Sequence, residues 1–139
     1  MISSQVLIPS GHSKPIGRYS PGIRIPLTDG RSMVFISGQV ASDSKGGLLG
    51  GHDPSAQAEI VFKRIQAILW ECDGDLQNLV SLTIFLADLR HFTMISEVRN
   101  RMLSDPPPAS TLVEVSRLAE DGRLVEINGI AIVPDRDEP

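Results

Sequence analysis

The sequence has 139 residues, of which 41% are hydrophobic and 22% are charged, and its formal net charge is −4. This length suits one domain with its own core, so we assign residues 1–139 to a single domain. No apolar run reaches the roughly 20 residues of a membrane-spanning helix, and we expect neither a signal peptide nor a membrane partner. The acidic balance disfavours nucleic acid as a partner, and the single cysteine, Cys72, favours a cytoplasmic location.

The first part of the chain predicts three strands and a loop. Short extended segments lie at Gln5–Ile8 and Ile23–Leu27, and Pro26 restricts the second of them to a sheet edge or a strand end. Met33–Val40 is almost entirely apolar, which predicts a strand covered on both faces. The glycines that follow, at positions 46, 47, 50 and 51, predict a mobile loop.

The first helix has a clear beginning and end. Asp53 is a favourable N-cap residue and Pro54 suits the first helical position. Gly74 predicts the end. Apolar residues recur between these limits at spacings of three and four, which predicts one buried stripe of Ala58, Val61, Ile65, Ile68 and Cys72.

The second half of the chain predicts a strand, a helix and two further strands. Leu79–Ala87 is apolar and β-branched, and a helix from about Arg90 to Leu103 ends before the prolines at 106–108. Its apolar face comprises Phe92, Ile95, Val98 and Met102. The last strands are Ser110–Leu118 and Arg123–Val133, which we expect to form a hairpin through a turn at Gly122.

The element order is therefore β-β-β-α-β-α-β-β. One sheet with two helices on one face makes a two-layer α+β domain. The last two strands carry apolar residues on both faces, whereas the helices cover only one. We therefore expect the uncovered face to be buried between subunits of an oligomer.

Two side chains stand out as candidates for a cavity. Glu126 lies in an almost wholly apolar strand, where its carboxylate is either buried with a partner or placed on a cavity rim. The simpler interpretation pairs it across the strands with Arg117 or Arg123, and Glu114 is best interpreted as an ordinary strand residue. Tyr19, in a leader rich in glycine and proline, either lines a cavity or anchors the leader by its ring.

The sequence predicts no metal ion and no cofactor. His12, His52 and His91 lack partners at the usual spacing of zinc ligands. Cys72 lies on the apolar stripe, where an inert thiol is expected. No phosphate-binding or dinucleotide-binding motif is present.

Several motifs together resemble the Rid/YjgF family, the reactive intermediate deaminases, which are also called endoribonuclease L-PSP-like proteins. They occur in family order from Pro15 to Val133 and read GRYSPGI, VFISGQVA, DLQNLVSLTIFLADLRHFTMISEV, PPPASTLVEVSRL and LVEINGIAIV. The resemblance implies a chorismate-mutase-like α+β fold with a mixed sheet, and a homotrimer with a small-molecule ligand in a cavity at each subunit interface. It also implies a hydrolase that converts reactive enamines and imines into a carbonyl product and ammonia.

Three residues match the family's functional positions. Tyr19 corresponds to the leader tyrosine that closes the cavity, and Gly38 to the glycine of the cavity-lining strand. Glu126 corresponds to the catalytic glutamate that positions water. The resemblance thus assigns Glu126 the catalytic role and the other two residues substrate binding.

Three further substrate-binding positions depart from the family pattern. Ser110 stands where active members carry an arginine that clamps the substrate carboxylate, Ser96 where many carry asparagine, and Arg18 where proline is usual. A serine cannot neutralise a carboxylate, so loss of the clamp is expected to weaken anion binding by ~10–1000-fold, unless Arg18 or Arg117 replaces it.

These departures leave two functions open: an imine or enamine deaminase, and a non-catalytic metabolite-binding or regulatory trimer. A ribonuclease or translation inhibitor is disfavoured by the net charge of −4 and by the lack of a histidine acid–base pair.

Overall fold

The computed structural model describes residues 3–135, in which six strands form one sheet and two helices pack on one of its faces. This arrangement confirms the predicted two-layer α+β class and the predicted element order. The elements are β1 (Gln5–Leu7), β2 (Gly22–Pro26), β3 (Arg31–Gln39), α1 (Pro54–Trp70), β4 (Leu79–Leu86), α2 (Phe92–Met102), β5 (Ala109–Glu114) and β6 (Val125–Pro134).

The sheet is mixed, with the strand order β1-β2-β3-β6-β4-β5. The β4–β5 pair is parallel, and the other neighbouring pairs are antiparallel. A parallel pair needs a crossover connection, which α2 supplies between β4 and β5. The last strand, β6, consequently lies inside the sheet between β3 and β4.

The predicted hairpin between the last two strands is wrong, because β4 lies between β5 and β6. The connecting residues 115–124 instead cross the end of β4. Val115 N donates to Leu86 O at 2.9 Å, and Ala87 N donates to Leu124 O at 3.1 Å. Gly122 does have a positive φ of 78°, but it serves this crossing.

Helix α1 begins as predicted and ends differently. The Asp53 side chain accepts hydrogen bonds from Ser55 N and Ala56 N, and Pro54 is the first helical residue. At the other end the left-handed residue is Asp73, with a φ of 61°, and not Gly74.

Gly74 is needed for space. A Cβ at this position would lie 2.6 Å from Val133 Cγ1. The glycine therefore allows the end of the α1 turn to pack closely on β6.

The core lies between the helices and one face of the sheet. The predicted α1 stripe is confirmed at four fully buried positions, whereas Cys72 follows the helix and is half-buried. In β6 every second residue is buried from Val125 to Val133. The fully buried stripe residues are Ala58, Val61, Ile65 and Ile68.

Hydrogen bonds join the glycine-rich loop, which the sequence predicted to be mobile, to neighbouring segments. The Arg123 guanidinium donates to Gly46 O at 2.9 Å. The buried Gln57 amide donates to Gly51 O at 2.7 Å and to Gly122 O at 3.0 Å. These bonds tie the loop to the segment that crosses β4.

The face of the sheet opposite the helices remains open in the single chain. Phe35 of β3 and Val113 of β5 are 42% and 39% exposed, and the burial of β3 alternates along the strand. Within one chain β3 is thus covered on one face, where the sequence predicted two. Within residues 3–135, neither helix has the length and apolar character needed to cross a membrane.

Candidate functional site

A cavity of about 330 Å³ opens where the leader, the end of β3, α1 and β6 meet. It brings together three of the predicted site residues, namely Tyr19, Gly38 and Glu126. Further residues that line it include His12, Lys14, Gln39, Arg64 and Glu120. A small molecule placed here would therefore meet both carboxylates and cations.

A β-bulge shapes the wall that carries the predicted catalytic residue. The pairing of β3 with β6 shifts between Ile36 and Gln39, so two residues of β3, Ser37 and Gly38, oppose a single residue of β6. A Cβ on Gly38 would lie 2.7 Å from Glu126 Oε2. The bulge and the glycine together leave the space that the carboxylate occupies.

Glu126 is half-buried and lies beside Phe85 of β4. Burial raises the pKa of its carboxyl group, and the negative charge of Glu120 raises it further. No hydrogen bond or ion pair to the carboxylate occurs within residues 3–135. Glu126 is thus a free carboxylate on the cavity wall, with an increased affinity for protons.

The predicted cross-strand partners do not pair with Glu126. Arg123 is buried and donates to Ser42 Oγ at 2.8 Å, while its Nη2 lies 3.6 Å from Glu120 Oε1. Arg117 is exposed. The simpler interpretation of Glu126 as one half of an ion pair is therefore wrong.

Arg64 of α1 also lines the cavity, a role that the sequence did not indicate. Its guanidinium donates to Gln39 Oε1 at 3.2 Å, to Ser42 O at 2.7 Å and to Ser13 Oγ at 3.2 Å. Burial lowers the pKa of Arg64, and the charge of Glu120 opposes that effect. The helical pattern placed Arg64 off the buried stripe, where a solvated side chain is expected, because the pattern does not show that the leader folds over this position.

The leader is attached to this arginine through His12. The Nε2 atom of His12 lies 3.0 Å from both Arg64 Nη2 and Gln39 Oε1, and Nδ1 donates to Ser13 O at 2.7 Å. Tyr19 follows in the same leader and is 50% exposed. These contacts hold the start of the leader against the cavity, and Tyr19 of the same leader lines it.

The other predicted substrate-binding residues lie elsewhere within the chain. Ser110 contributes to a separate groove of about 440 Å³ with Arg99 and Asn100. Ser96 is buried in α2 and its Oγ lacks a hydrogen-bond partner in the part of the chain that the structure describes. Arg18 is exposed and does not line the cavity of Glu126.

Glu114 lies in β5, but its side chain bonds a turn and not a neighbouring strand. Its Oε2 accepts a hydrogen bond from Leu89 N at 2.7 Å. Leu89 begins the short 3-10 turn Leu89–His91 that precedes α2. The two similar strand carboxylates, Glu114 and Glu126, thus lie in different surroundings.

Comparisons with known proteins agree on one family. The sequence model of the family described as Endoribonuclease L-PSP matches residues 11–133. A RutC family protein of Pyrococcus abyssi (strain GE5 / Orsay) is 33% identical over 130 residues, which are 94% of this chain and 98% of the relative.

Solved structures support the same assignment. RidA from the Antarctic bacterium Psychrobacter sp. PAMC 21119 is 33% identical with a TM-score of 0.79, over 93% of this chain and 99% of that one. E. coli TdcF with bound serine is 25% identical with a TM-score of 0.76, over 92% and 98% of the two chains. The protein therefore belongs to the endoribonuclease L-PSP family, the Rid/YjgF family that its motifs resemble.

Proposed function

We propose that the protein is a hydrolase that converts reactive imines and enamines into a carbonyl compound and ammonia, with Glu126 as its catalytic residue. The observation that supports this proposal best is the unpaired Glu126 carboxylate on the wall of a small cavity. Tyr19 and Gly38 line the same cavity. The two residues match the positions that the family uses for substrate binding.

The reaction requires the protein to position a water molecule and the substrate and to transfer protons. Water adds to the carbon of the C=N group, and the nitrogen is protonated. The resulting carbinolamine then loses ammonia as the C=O bond forms, so that R₂C=NH and H₂O give R₂C=O and NH₃. Glu126 accepts the proton of the attacking water and returns it to the departing nitrogen. Its raised pKa makes the carboxylate a stronger base and favours the first of these transfers.

We further propose that the active form is a homotrimer in the cytoplasm, with the open sheet face buried between subunits. The exposure of Phe35 and Val113 supports burial of this face. In such an assembly a neighbouring subunit brings its own residues to the cavity. A small polar molecule as ligand agrees with the bound serine of TdcF.

The test is hydrolysis of imino acids generated in the assay by oxidation of amino acids. We expect the protein to release ammonia and keto acid faster than buffer does, and Glu126→Gln to lower kcat by about 10²–10⁴-fold. Glu114→Gln is the matched control, because this carboxylate only caps a turn. If imines of both neutral and anionic compounds are hydrolysed no faster with the protein than in buffer alone, the proposal is ruled out.

The serine at position 110 favours a second candidate, a metabolite-binding or regulatory trimer without catalysis. Its hydroxyl provides hydrogen bonds but no charge. This function predicts that small metabolites raise the melting temperature while no imine is consumed. Turnover that depends on Glu126 would exclude it.

A further inference from the structure

Two oppositely charged side chains line the cavity, and the negative charge of Glu120 acts on each of them. The Arg64 guanidinium and the Glu126 carboxylate line the same space, yet within residues 3–135 neither forms an ion pair. Both are about half removed from water. Charges in such surroundings are costly unless something neutralises them.

The hydrogen bonds of Arg64 hold the guanidinium in place without neutralising it. Its partners are a carbonyl, an amide oxygen, a hydroxyl and an imidazole, contributed by Ser42, Gln39, Ser13 and His12. Nη1 carries two hydrogens and donates only the bond to Ser42 O within the described residues. A planar group fixed in this way is organised in advance to bind an anion.

Lys14 is a less suitable anion receptor, although it lines the cavity too. Its side chain is exposed and forms no ion pair within the described part of the chain. An exposed, flexible ammonium group loses conformational entropy on binding and stays strongly hydrated. Arg64 has already lost that freedom.

We propose that Arg64 binds the carboxylate of the ligand whose cationic nitrogen faces Glu126. The cavity then selects small zwitterions of the 2-iminio acid type, and Arg64 takes over the task that Ser110 cannot perform. This inference rests on the proposed function for the chemistry at the nitrogen. Recognition of the carboxylate is independent of turnover and is tested separately.

The first experiment measures binding alone. The probes are 2-oxobutanoate and its neutral amide, which differ only in the anionic group, and the method is titration calorimetry on the intact wild-type protein. We expect the anion to bind at least tenfold more tightly and its affinity to fall as salt is added. Equal binding of the two probes overturns the inference without any variant.

The second experiment assigns the preference to Arg64. We expect Arg64→Met to weaken binding of 2-oxobutanoate by about 10–150-fold and to leave binding of the amide within about twofold. Lys63→Met is the matched control, since it removes an exposed positive charge from the same turn of α1. It should change neither affinity.

Selectivity separates a binding role from a structural one. If Arg64 only held the leader in place, its loss would weaken the binding of both probes equally, and this result would overturn the inference. In the hydrolysis assay we expect Arg64→Met to raise KM for imines of amino acids and to leave KM for imines of amino acid amides unchanged. Arg64-dependent binding without turnover would refute the proposed function alone. Turnover that is indifferent to Arg64 would refute this inference alone.

Discussion

At the scale of single residues, the site depends on a pair of neighbours in adjacent strands. A Cβ atom at position 38 would lie 2.7 Å from Glu126 Oε2, and Gly38 has none. Such a distance is far below van der Waals contact, so a side chain at position 38 displaces the carboxylate. The glycine thus sets the position of the acid, and a methyl group there should change chemistry more than stability.

The substitution Gly38→Ala tests this relation. We expect it to lower kcat by about 10²-fold, because a displacement of about 1 Å is enough to disturb a reacting geometry. The measurement is imine hydrolysis, with circular dichroism to verify folding. In the double variant with Glu126→Gln the alanine should have almost no further effect, and additive losses would show that the two residues act separately.

The carboxyl group of Glu126 also links stability to pH. Because burial raises its pKa in the folded state, the folded protein binds more protons than the unfolded chain, and this group lowers the free energy of unfolding as pH rises. That loss begins near the unfolded pKa and is complete above the folded pKa. We expect Glu126→Gln to be more stable relative to wild type at pH 8 than at pH 4, measured by urea denaturation. A difference that does not change with pH would contradict the raised pKa.

At the scale of elements, α1 connects the core to the site. Gln57 and Arg64 are seven residues apart and therefore lie on one side of the helix, two turns from each other. Gln57 is fully buried, donates to Gly51 O and Gly122 O, and accepts from Leu124 N at 2.9 Å. Gln57 fixes the glycine-rich loop and the segment that leads into β6, and Arg64 fixes the leader.

We expect Gln57→Leu to reduce the free energy of unfolding by about 2–4 kcal/mol, because it leaves backbone groups buried without partners. Denaturation by urea measures the change. Gln66→Leu is the control on the same helix: its amide is half-buried and, within residues 3–135, donates only to Asp75 Oδ1, so a loss below about 1 kcal/mol is expected. Similar losses for the two variants would show that Gln57 does not fasten the loops.

The helices and strands could be predicted from the sequence far better than the pairing of the strands in the sheet. The cap at Asp53, the stripe of α1 and the order of the elements along the chain follow from local patterns, which the chain expresses within a few residues. The pairing of β5 with β4 depends on which distant strands meet, so a turn containing Gly122 suggested a hairpin that does not exist. Tyr19, Gly38 and Glu126 were predicted together through the family resemblance. Arg64 was missed, because only the folded leader reveals its surroundings.

At the scale of the whole molecule, the sheet has one face covered by the helices and one open face. Facing residues on the open side of β3 and β6 include Met33 with Ile132 and Phe35 with Ile130. On the next strand pair, Phe85 lies beside Val113. An apolar sheet face left open in this way favours burial against another subunit.

For the proposed trimer, Phe35→Glu is therefore expected to shift the protein to monomer in sedimentation velocity. The charge would be buried without a partner in the assembled form. Phe92→Glu is the matched control, since this phenylalanine is 46% exposed on α2, on the other side of the molecule. A trimer that tolerates Phe35→Glu would place the subunit interface elsewhere.

The alternation along β6 has a consequence for how this protein can change. Val125, Ile127, Ala131 and Val133 point into the core, while residues 126, 128, 130 and 132 face the open side, where Glu126 lies. The ten residues of β6 thus contribute to stability at alternate positions and to the site at the positions between them. A library that varies residues 126, 128, 130 and 132 would sample new ligand preferences and subunit contacts on an intact scaffold, and one that varies the alternate positions would mostly sample unfolded chains.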